Sequence, residues 1–198
     1  MNNASSDTRI HKSILATGER RFLEYMAVHI PGFVKPDHLT ALGVVGGFIV
    51  LFGYVLSLVE VSYLWLANIG LVIHWVGDSL DGTLARVRGV VRPRYGFFLD
   101  QCIDLLGNLL IAVGLGITTF VRLDISLLVL SAYHMLSIYT FVRNIVTGEM
   151  HISVMGCGPT ELRIGIVVLN ILLMTFGAPP LALFDYQASW CDAFLMVV

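Results

Sequence analysis

Residues 77–104 read GDSLDGTLARVRGVVRPRYGFFLDQCID, and this charged stretch stands between two of the most apolar segments of the chain. It contains four aspartates, Asp78, Asp81, Asp100 and Asp104. The first two are three residues apart and the last two are four apart, so each pair projects from one face of a helix. We therefore predict two neighbouring antiparallel helices, joined by a loop of about a dozen residues, that direct four carboxylates to one point.

The composition around this stretch is that of an integral membrane protein. Of the 198 residues, 57% are hydrophobic and only 13% are charged, and the mean hydropathy is +0.82, well above the range of soluble domains. A formal net charge of -2 lacks the basic excess of nucleic-acid-binding proteins, so nucleic acid is not expected as a partner. Cys102, Cys157 and Cys191 show neither CxxC nor zinc-site spacing, and we interpret them as packing residues.

Apolar segments predict an all-α bundle of six transmembrane helices in a single membrane domain, residues 1–198. The second segment reaches the length of about 20 residues needed to cross a bilayer only if its helix continues into the aspartate stretch. The carboxylates would then lie at membrane depth or at its edge. The sixth is too short to span, which indicates a truncated chain or an incomplete last helix. The segments are 39–58, 63–76, 97–120, 125–145, 164–176 and 188–198.

The first 37 residues form a cytoplasmic or interfacial segment before the bundle at 38–198. They lack the apolar run of a secretory signal, so no cleaved leader is expected. Apolar residues recur there at near-helical spacing among charges, which predicts an amphipathic juxtamembrane helix, lying in the interface plane or packed on the bundle. These residues are Ile10, Ile14, Phe22, Met26 and Ile30.

Lysines and arginines predict the orientation, because short loops rich in these cations stay in the cytoplasm. Eleven of the twelve fall on one side of the six-helix arrangement, and only Arg122 falls on the other. We therefore expect a multi-pass protein of the cell (inner) membrane, with the N-terminus, the aspartates and the loop GEMHISVMGCGPTELR on the cytoplasmic face. The eleven are Arg9, Lys12, Arg20, Arg21, Lys35, Arg86, Arg88, Arg92, Arg94, Arg143 and Arg163.

Four close carboxylates in a low-dielectric setting need a cation, because each unpaired charge costs several kcal/mol. Hard divalent ions supply it through oxygen ligands, and a pair of ions about 4 Å apart is the usual device for displacement at phosphorus. The pattern therefore predicts a site for two Mg²⁺ or Mn²⁺ ions. The alternative is that the aspartates cap helices or pair with the arginines of the connecting loop.

Small residues and one arginine accompany the aspartates. Gly82 and Ala85 keep one wall of the predicted site small, and Gly96, four residues before Asp100, opens the opposite wall. Arg86 offers a planar fork suited to phosphate. Each glycine could also serve only in packing or in a turn.

The order of these residues resembles the signature of the CDP-alcohol phosphotransferase (CDP-alcohol phosphatidyltransferase) family, DxxDGxxAR followed by GxxxDxxxD. Every fixed position matches, although nine residues separate Arg86 from Gly96 where the family has about eight. The stretch PDHLT at 36–40 is also similar to the family's Pro-Asx-x-x-Thr pattern. The matching residues are Asp78, Asp81, Gly82, Ala85, Arg86, Gly96, Asp100 and Asp104.

The resemblance implies a reaction in which an alcohol hydroxyl attacks the phosphate distal to cytidine in a CDP-linked donor, giving a phosphodiester and CMP. It implies that the four aspartates bind two divalent metals and that Asp104 is also the general base. Asp78, Asp81, Gly82, Ala85, Arg86 and Gly96 would line the CDP site. Family members are usually homodimers, and a GxxxG at Gly43 and Gly47 could pack helices between subunits or inside one subunit.

The acceptor alcohol is open at this point. Arg143, Glu161 and Arg163 flank the second cytoplasmic loop and could recognise its charged group, with the arginines suited to a phosphate. GPTELR at 158–163 resembles the GPTE stretch of the choline and ethanolamine phosphotransferase branch, where the lipid is the acceptor. The same residues could equally form a turn, a helix cap and a membrane-edge cation.

Two other functions share some of these features. Intramembrane prenyltransferases also hold magnesium pyrophosphate with aspartate-rich helices, but they are commonly longer and lack the DGxxAR core. A divalent-cation transporter would need carboxylates near mid-membrane and often a symmetry-related second half. No internal repeat is visible in this chain.

Overall fold

The central element is a long apolar helix, α2 (Pro36–Ser57), because both α3 (Leu64–Val87) and α4 (Pro93–Ile117) pack on it. The computed structural model of the protein describes residues 16–147, 159–177, 180–183 and 186–197. Helix α1 (Ala16–His29) precedes this core, and α5 (Leu123–Thr147) and α6 (Pro159–Phe176) follow it. The last elements are β1 (Pro180–Leu183), β2 (Tyr186–Ser189) and α7 (Trp190–Val197).

The ends of the central helices follow from proline and glycine. Pro36 and Pro93 open α2 and α4, where a missing N–H costs no hydrogen bond and the fixed φ is already helical. Helix α3 ends two residues before Gly89, whose φ of 67° closes the helix in the left-handed region. The predicted loop of about a dozen residues is wrong: the connection spans only residues 88–92, because α3 continues as a helix through its charged end, where apolar periodicity gives no signal.

Glycines bring α2 and α3 into backbone contact. A Cβ added at Gly77 would lie 2.6 Å from the Cα of Gly43, and one added at Gly70 would lie 2.6 Å from the backbone N of Val50. Gly47, the second glycine of the GxxxG motif, instead faces α4, where an added Cβ would lie 3.0 Å from Leu110 Cδ1. Both glycines of the motif therefore pack helices inside one subunit, which was one of its two predicted uses.

A buried polar network ties α6 to this pair. The Tyr54 hydroxyl donates to Asn170 Oδ1 at 3.1 Å, and Asn170 Nδ2 donates to Asn68 Oδ1 at 2.7 Å. Tyr54 and Asn170 are fully buried, and Asn68 is 5% exposed. Because such groups are costly to bury without partners, the network fixes the rotation of α6 against α2 and α3.

Four described helices, α2, α4, α5 and α6, are long and apolar enough to cross a membrane. Helix α3 is also continuous through Asp78 and Asp81, as its predicted extension requires, but it is not among these four. The six-span count is therefore not confirmed. The sixth apolar segment forms an eight-residue helix, α7, after the antiparallel hairpin of β1 and β2, an addition to the expected all-α fold.

The predicted N-terminal helix is present in its described part, α1, whereas Ile10 and Ile14 lie outside the described residues. Leu23 and Ala27 of α1 are buried in one cluster with Leu80 and Leu84 of α3, so α1 packs on the bundle. Its position in a membrane interface stays a prediction.

Arg88, in the short connection after α3, fastens the chain segment between α1 and α2. Its guanidinium donates to the carbonyl oxygens of Ile30 and Pro31, both at 2.9 Å, and also to that of Val34. These carbonyls belong to the connection between α1 and α2, so Arg88 ties that connection to the end of α3.

The described cysteines differ in environment. Cys191 is buried, as expected for a packing residue, and burial raises the pKa of its thiol to about 11. Cys102 is exposed on α4, so the packing interpretation is wrong for that residue. Cys157 lies outside the described residues.

Candidate active site

The first aspartate pair lies where α3 is held tightly against α2. Asp78 follows Gly77, whose Cα leaves no room for a side chain against Gly43, so the backbone at Asp78 is fixed by the helix contact. Asp81 accepts a hydrogen bond of 2.5 Å from the Thr40 hydroxyl of α2 and one from the backbone N–H of Gly82. Thr40 belongs to the PDHLT stretch, and its contact with Asp81 was not predicted.

The second pair lies on the more open helix α4. Residues 93–98 of this helix are all exposed, and Asp100 accepts a 3.2 Å hydrogen bond from its neighbour Gln101. Three residues beyond Asp104, Gly107 faces the ring of His74 from α3, and a Cβ added there would lie 2.5 Å from His74 Cε1. The His74 ring is fully buried, and its Nδ1–H donates to the Gly43 carbonyl at 2.9 Å.

One arginine joins the two pairs. Arg163 of α6 donates through the same nitrogen, Nη2, to Asp78 Oδ2 at 2.9 Å and to Asp104 Oδ1 at 3.2 Å. Its side chain is 8% exposed, against 12% for Asp78 and 30% for Asp104. A cationic group therefore lies between the two helices, at the point to which the spacing directed the carboxylates.

The electrostatics agree with this convergence. The Asp104 carboxylate is repelled by Asp78, Asp100 and Asp81 and attracted by Arg163. The donor set consists of carboxylate oxygens, the ligands that hard divalent cations prefer, and in this structure the Arg163 guanidinium supplies the positive charge between Asp78 and Asp104. Within the described residues, however, no three Asp, Glu, His or Cys side chains are grouped closely enough to hold an ion as they stand, so the two-metal site stays a prediction.

The residues predicted to line a CDP site lie on the same two helices as the aspartates. Gly82 and Ala85 are partly buried on α3, and the exposed Arg86 donates from Nη2 to the Thr83 hydroxyl at 2.9 Å. On α4, a Cβ added at Gly96 would meet nothing within 4 Å, so packing does not account for this glycine. One alternative role considered for Gly96, helix packing, therefore does not apply.

Of the three predicted acceptor residues, Arg163 contacts two of the aspartates, Asp78 and Asp104. Glu161 lies in the first turn of α6. Arg143 lies near the end of α5, two residues beyond Phe141, whose ring makes an edge contact with Phe97 of α4 at 6.1 Å. Residues 148–158 of the loop that these three residues flank lie outside the described residues.

An apolar cavity of about 80 Å³ lies between α4, α5, α6 and α7. Asn108, one helical turn beyond Asp104, and Tyr133 of α5 line it together with aliphatic side chains such as Ile111 and Leu162. Tyr133 also interacts electrostatically with Asp104 and Arg163. The cavity therefore adjoins the aspartate centre on the side that faces the bundle interior.

Comparison with known proteins identifies the family of this chain. A profile of the CDP-alcohol phosphatidyltransferase family matches residues 33–198, which include all four aspartates and Arg163. The chain belongs to this family. The resemblance read from the DxxDGxxAR and GxxxDxxxD pattern is thereby confirmed.

A curated relative in this family is an archaetidylinositol phosphate synthase from Pyrococcus horikoshii. It is 34% identical over 104 residues, which make up 50% of this chain and 55% of the relative. The chain thus spans about half the length of the curated relative that it matches.

Proposed function

We propose that this CDP-alcohol phosphatidyltransferase family member transfers a substituted phosphate from a CDP-linked donor to an alcohol hydroxyl and releases CMP, as a step of phospholipid biosynthesis. The observation that carries the proposal is the contact of Arg163 with both Asp78 and Asp104, which unites the two halves of the family pattern in one place. Family membership supplies the reaction class, and the aspartates supply its chemistry.

The reaction requires a base and a stabilised leaving group. Asp104 takes the proton of the acceptor hydroxyl, whose oxygen attacks the phosphorus distal to cytidine. The bond between that phosphorus and the bridging oxygen breaks, and CMP leaves with the bridging oxygen and its electron pair. Arg86 and the small residues Gly82, Ala85 and Gly96 hold the CDP portion against α3 and α4.

Asp78, Asp81, Asp100 and Asp104 are the residues that would hold two Mg²⁺ or Mn²⁺ ions. When bound, these ions supply positive charge to the pyrophosphate and to the departing phosphate oxygen. Thr40 orients the Asp81 carboxylate through its hydroxyl, and Arg163 lies beside Asp78 and Asp104. The chain's own contribution is to keep carboxylates from two helices directed to one point.

For the substrates, we propose a CDP-linked lipid as donor and a soluble, phosphate-bearing polyol as acceptor. The relative is named as a synthase of archaetidylinositol phosphate, a product in which inositol phosphate is joined to a lipid, and we extend that pattern to this chain. Arg163 presents a guanidinium beside Asp104, where the acceptor hydroxyl would bind, and a guanidinium suits a phosphate. The apolar cavity lined by Asn108 and Tyr133 adjoins the site, and its aliphatic walls suit a lipid chain.

The protein would act in the cell membrane with this site toward the cytoplasm, as the distribution of arginines and lysines predicts. A homodimer also stays a prediction, and the GxxxG motif gives it no support, since Gly43 and Gly47 both pack inside one subunit.

The proposal is tested by CMP formation from purified protein in lipid vesicles. CDP-diacylglycerol with inositol phosphate, in the presence of Mg²⁺ or Mn²⁺, is expected to give CMP, and a chelator is expected to stop it. Parallel reactions pair CDP-diacylglycerol with inositol or glycerol phosphate, and CDP-choline or CDP-ethanolamine with diacylglycerol. CMP only from CDP-choline or CDP-ethanolamine would overturn the donor assignment. Divalent-metal flux into the vesicles without CMP from any pair would overturn the transferase itself.

A further inference from the structure

A carboxylate on α1 joins three helices next to the candidate site. Glu19 Oε1 accepts a hydrogen bond from the indole N–H of Trp75 on α3 at 2.9 Å and one from the Thr160 hydroxyl on α6 at 3.0 Å. Its second oxygen lies 3.2 Å from the same hydroxyl. These contacts connect residues that are 56 and 141 positions apart in the chain.

The two residues that donate to Glu19, Trp75 and Thr160, each lie one helical turn before a residue of the candidate site. Trp75 lies three residues before Asp78 on α3, and Thr160 lies three residues before Arg163 on α6. Residues three apart lie on one face of a helix, so Glu19 joins the turns that precede Asp78 and Arg163. The 2.9 Å contact between Asp78 and Arg163 is a second, direct connection between α3 and α6 beside the one through Glu19.

Helix α1 holds Glu19 in place by independent means. The ring of Phe22 stacks on that of Trp75, with centroids 6.5 Å apart and planes inclined by 8°. One turn further, Leu23 and Ala27 are buried against Leu80 and Leu84. Glu19 is thus a fixed acceptor on a helix that already packs on α3.

We propose that Glu19 is a positioning residue, which fixes the first turn of α6 on α3 and thereby fixes Arg163 between Asp78 and Asp104. This inference rests on the proposed function only in its kinetic part. The role requires an oxygen that accepts two hydrogen bonds and does not require the negative charge. The buried network of Tyr54, Asn170 and Asn68 holds the inner part of α6, so loss of Glu19 would loosen its outer end alone.

The first test measures the helices directly and needs no substrate. In full-length protein with its cysteines replaced by serine, spin labels at the exposed positions Val72 of α3 and Ile164 of α6 report their separation. Glu19→Ala is expected to broaden the distance distribution, whereas Glu19→Gln keeps it narrow because its amide oxygen accepts both hydrogen bonds. The matched control is Glu24→Ala, since Glu24 pairs with Arg20 on the exposed face of α1.

The second test measures CMP release. Glu19→Ala is expected to raise KM for the phosphate-bearing acceptor about tenfold and to change kcat less than about threefold, because a misplaced Arg163 weakens acceptor binding first. Glu19→Gln and Glu24→Ala should stay within about twofold of the parent in both constants. Glu19→Gln behaving like Glu19→Ala would show that charge is what matters and would overturn the hydrogen-bond role.

The two tests also separate the proposals. An unchanged distance distribution in Glu19→Ala would overturn the positioning role even if CMP release is confirmed. Broadening in Glu19→Ala without CMP release from any donor would uphold the positioning of α6 and overturn the proposed function.

Discussion

The two halves of the candidate site differ in how they are held. Asp78 follows a glycine in backbone contact with α2 and is 12% exposed, whereas Asp104 lies on a helix whose first six residues are all exposed and is itself 30% exposed. The α3 half is thus part of the protein core, and the α4 half borders open space. The comparison teaches that the α3 half holds its aspartate in a fixed position, whereas the α4 half leaves room for a substrate.

The largest effect expected is on catalysis, and there the two halves of the site should be equally sensitive to substitution. Asp104→Asn is expected to reduce the rate of CMP release by about 10²–10⁴-fold, because the base is lost. Asp78→Asn should reduce it by a similar factor, since a metal ligand is lost from the other half. The matched control is Asp124→Asn, because Asp124 pairs with Arg122 at the opposite end of the bundle. An Asp104→Asn protein that keeps more than a tenth of the activity would contradict the assignment of the base.

The free energy of unfolding should distinguish the two halves of the site. Asp78→Asn leaves the buried Arg163 guanidinium without its closer carboxylate, and we expect a loss of about 3 kcal/mol in the free energy of unfolding. Asp104→Asn removes a longer and more exposed contact, and about 1 kcal/mol is expected. Unfolding in mixed detergent micelles without divalent metal measures both. Equal losses would mean that the α4 half is held as firmly as the α3 half.

Glycine substitutions probe the same contrast through packing. A Cβ at Gly77 would meet the backbone of Gly43, which can give way only if α2 and α3 separate, so Gly77→Ala is expected to cost about 3 kcal/mol. A Cβ at Gly107 on α4 would meet the His74 ring, which is a side chain and not backbone but is buried and hydrogen-bonded to Gly43, and about 2 kcal/mol is expected. The midpoint temperatures of the two variants in detergent give the comparison, and a larger shift for Gly107→Ala would reverse the proposed order.

The smallest effect concerns Gly96, in the open half. Because an added Cβ meets nothing within 4 Å, Gly96→Ala should stabilise α4 by about 0.5–1 kcal/mol, as alanine favours a helix over glycine. The same methyl group would intrude on the proposed CDP site, so KM for the donor should rise. A variant that is more stable and has an unchanged donor KM would remove Gly96 from the CDP site.

Local spacing was enough to predict the half-sites. The intervals of three and four residues between aspartates decide which side chains share a helix face, and these intervals are visible in the sequence. The same reasoning overestimated the length of the loop after α3, because residues 84–87 (LARV) continue the helix without a helical pattern of apolar residues. It also gave no sign of the hairpin formed by 180–183 and 186–189, since two four-residue strands carry too little pattern.

The contacts that complete the site join residues far apart in the chain and could not be predicted from local spacing. Arg163 meets Asp78 85 positions earlier in the chain, and Thr40 meets Asp81 41 positions later. Both contacts depend on how helices rotate about their axes when glycines and buried amides pack, which no single segment encodes. Glu19 was passed over for the same reason: on its own it is one acid among several on a charged helix.

The position of Arg163 in the chain has a consequence for synthesis in the membrane. Helices α2, α3 and α4 leave the ribosome first, and their aspartates are already in place when the arginine is still 59 residues away from Asp104. The acidic centre therefore acquires its internal cation only when α6 is inserted. A nascent protein stalled before residue 159 would therefore present the four aspartates without Arg163, and divalent ions would have to balance the charge of Asp78 and Asp104 without its help.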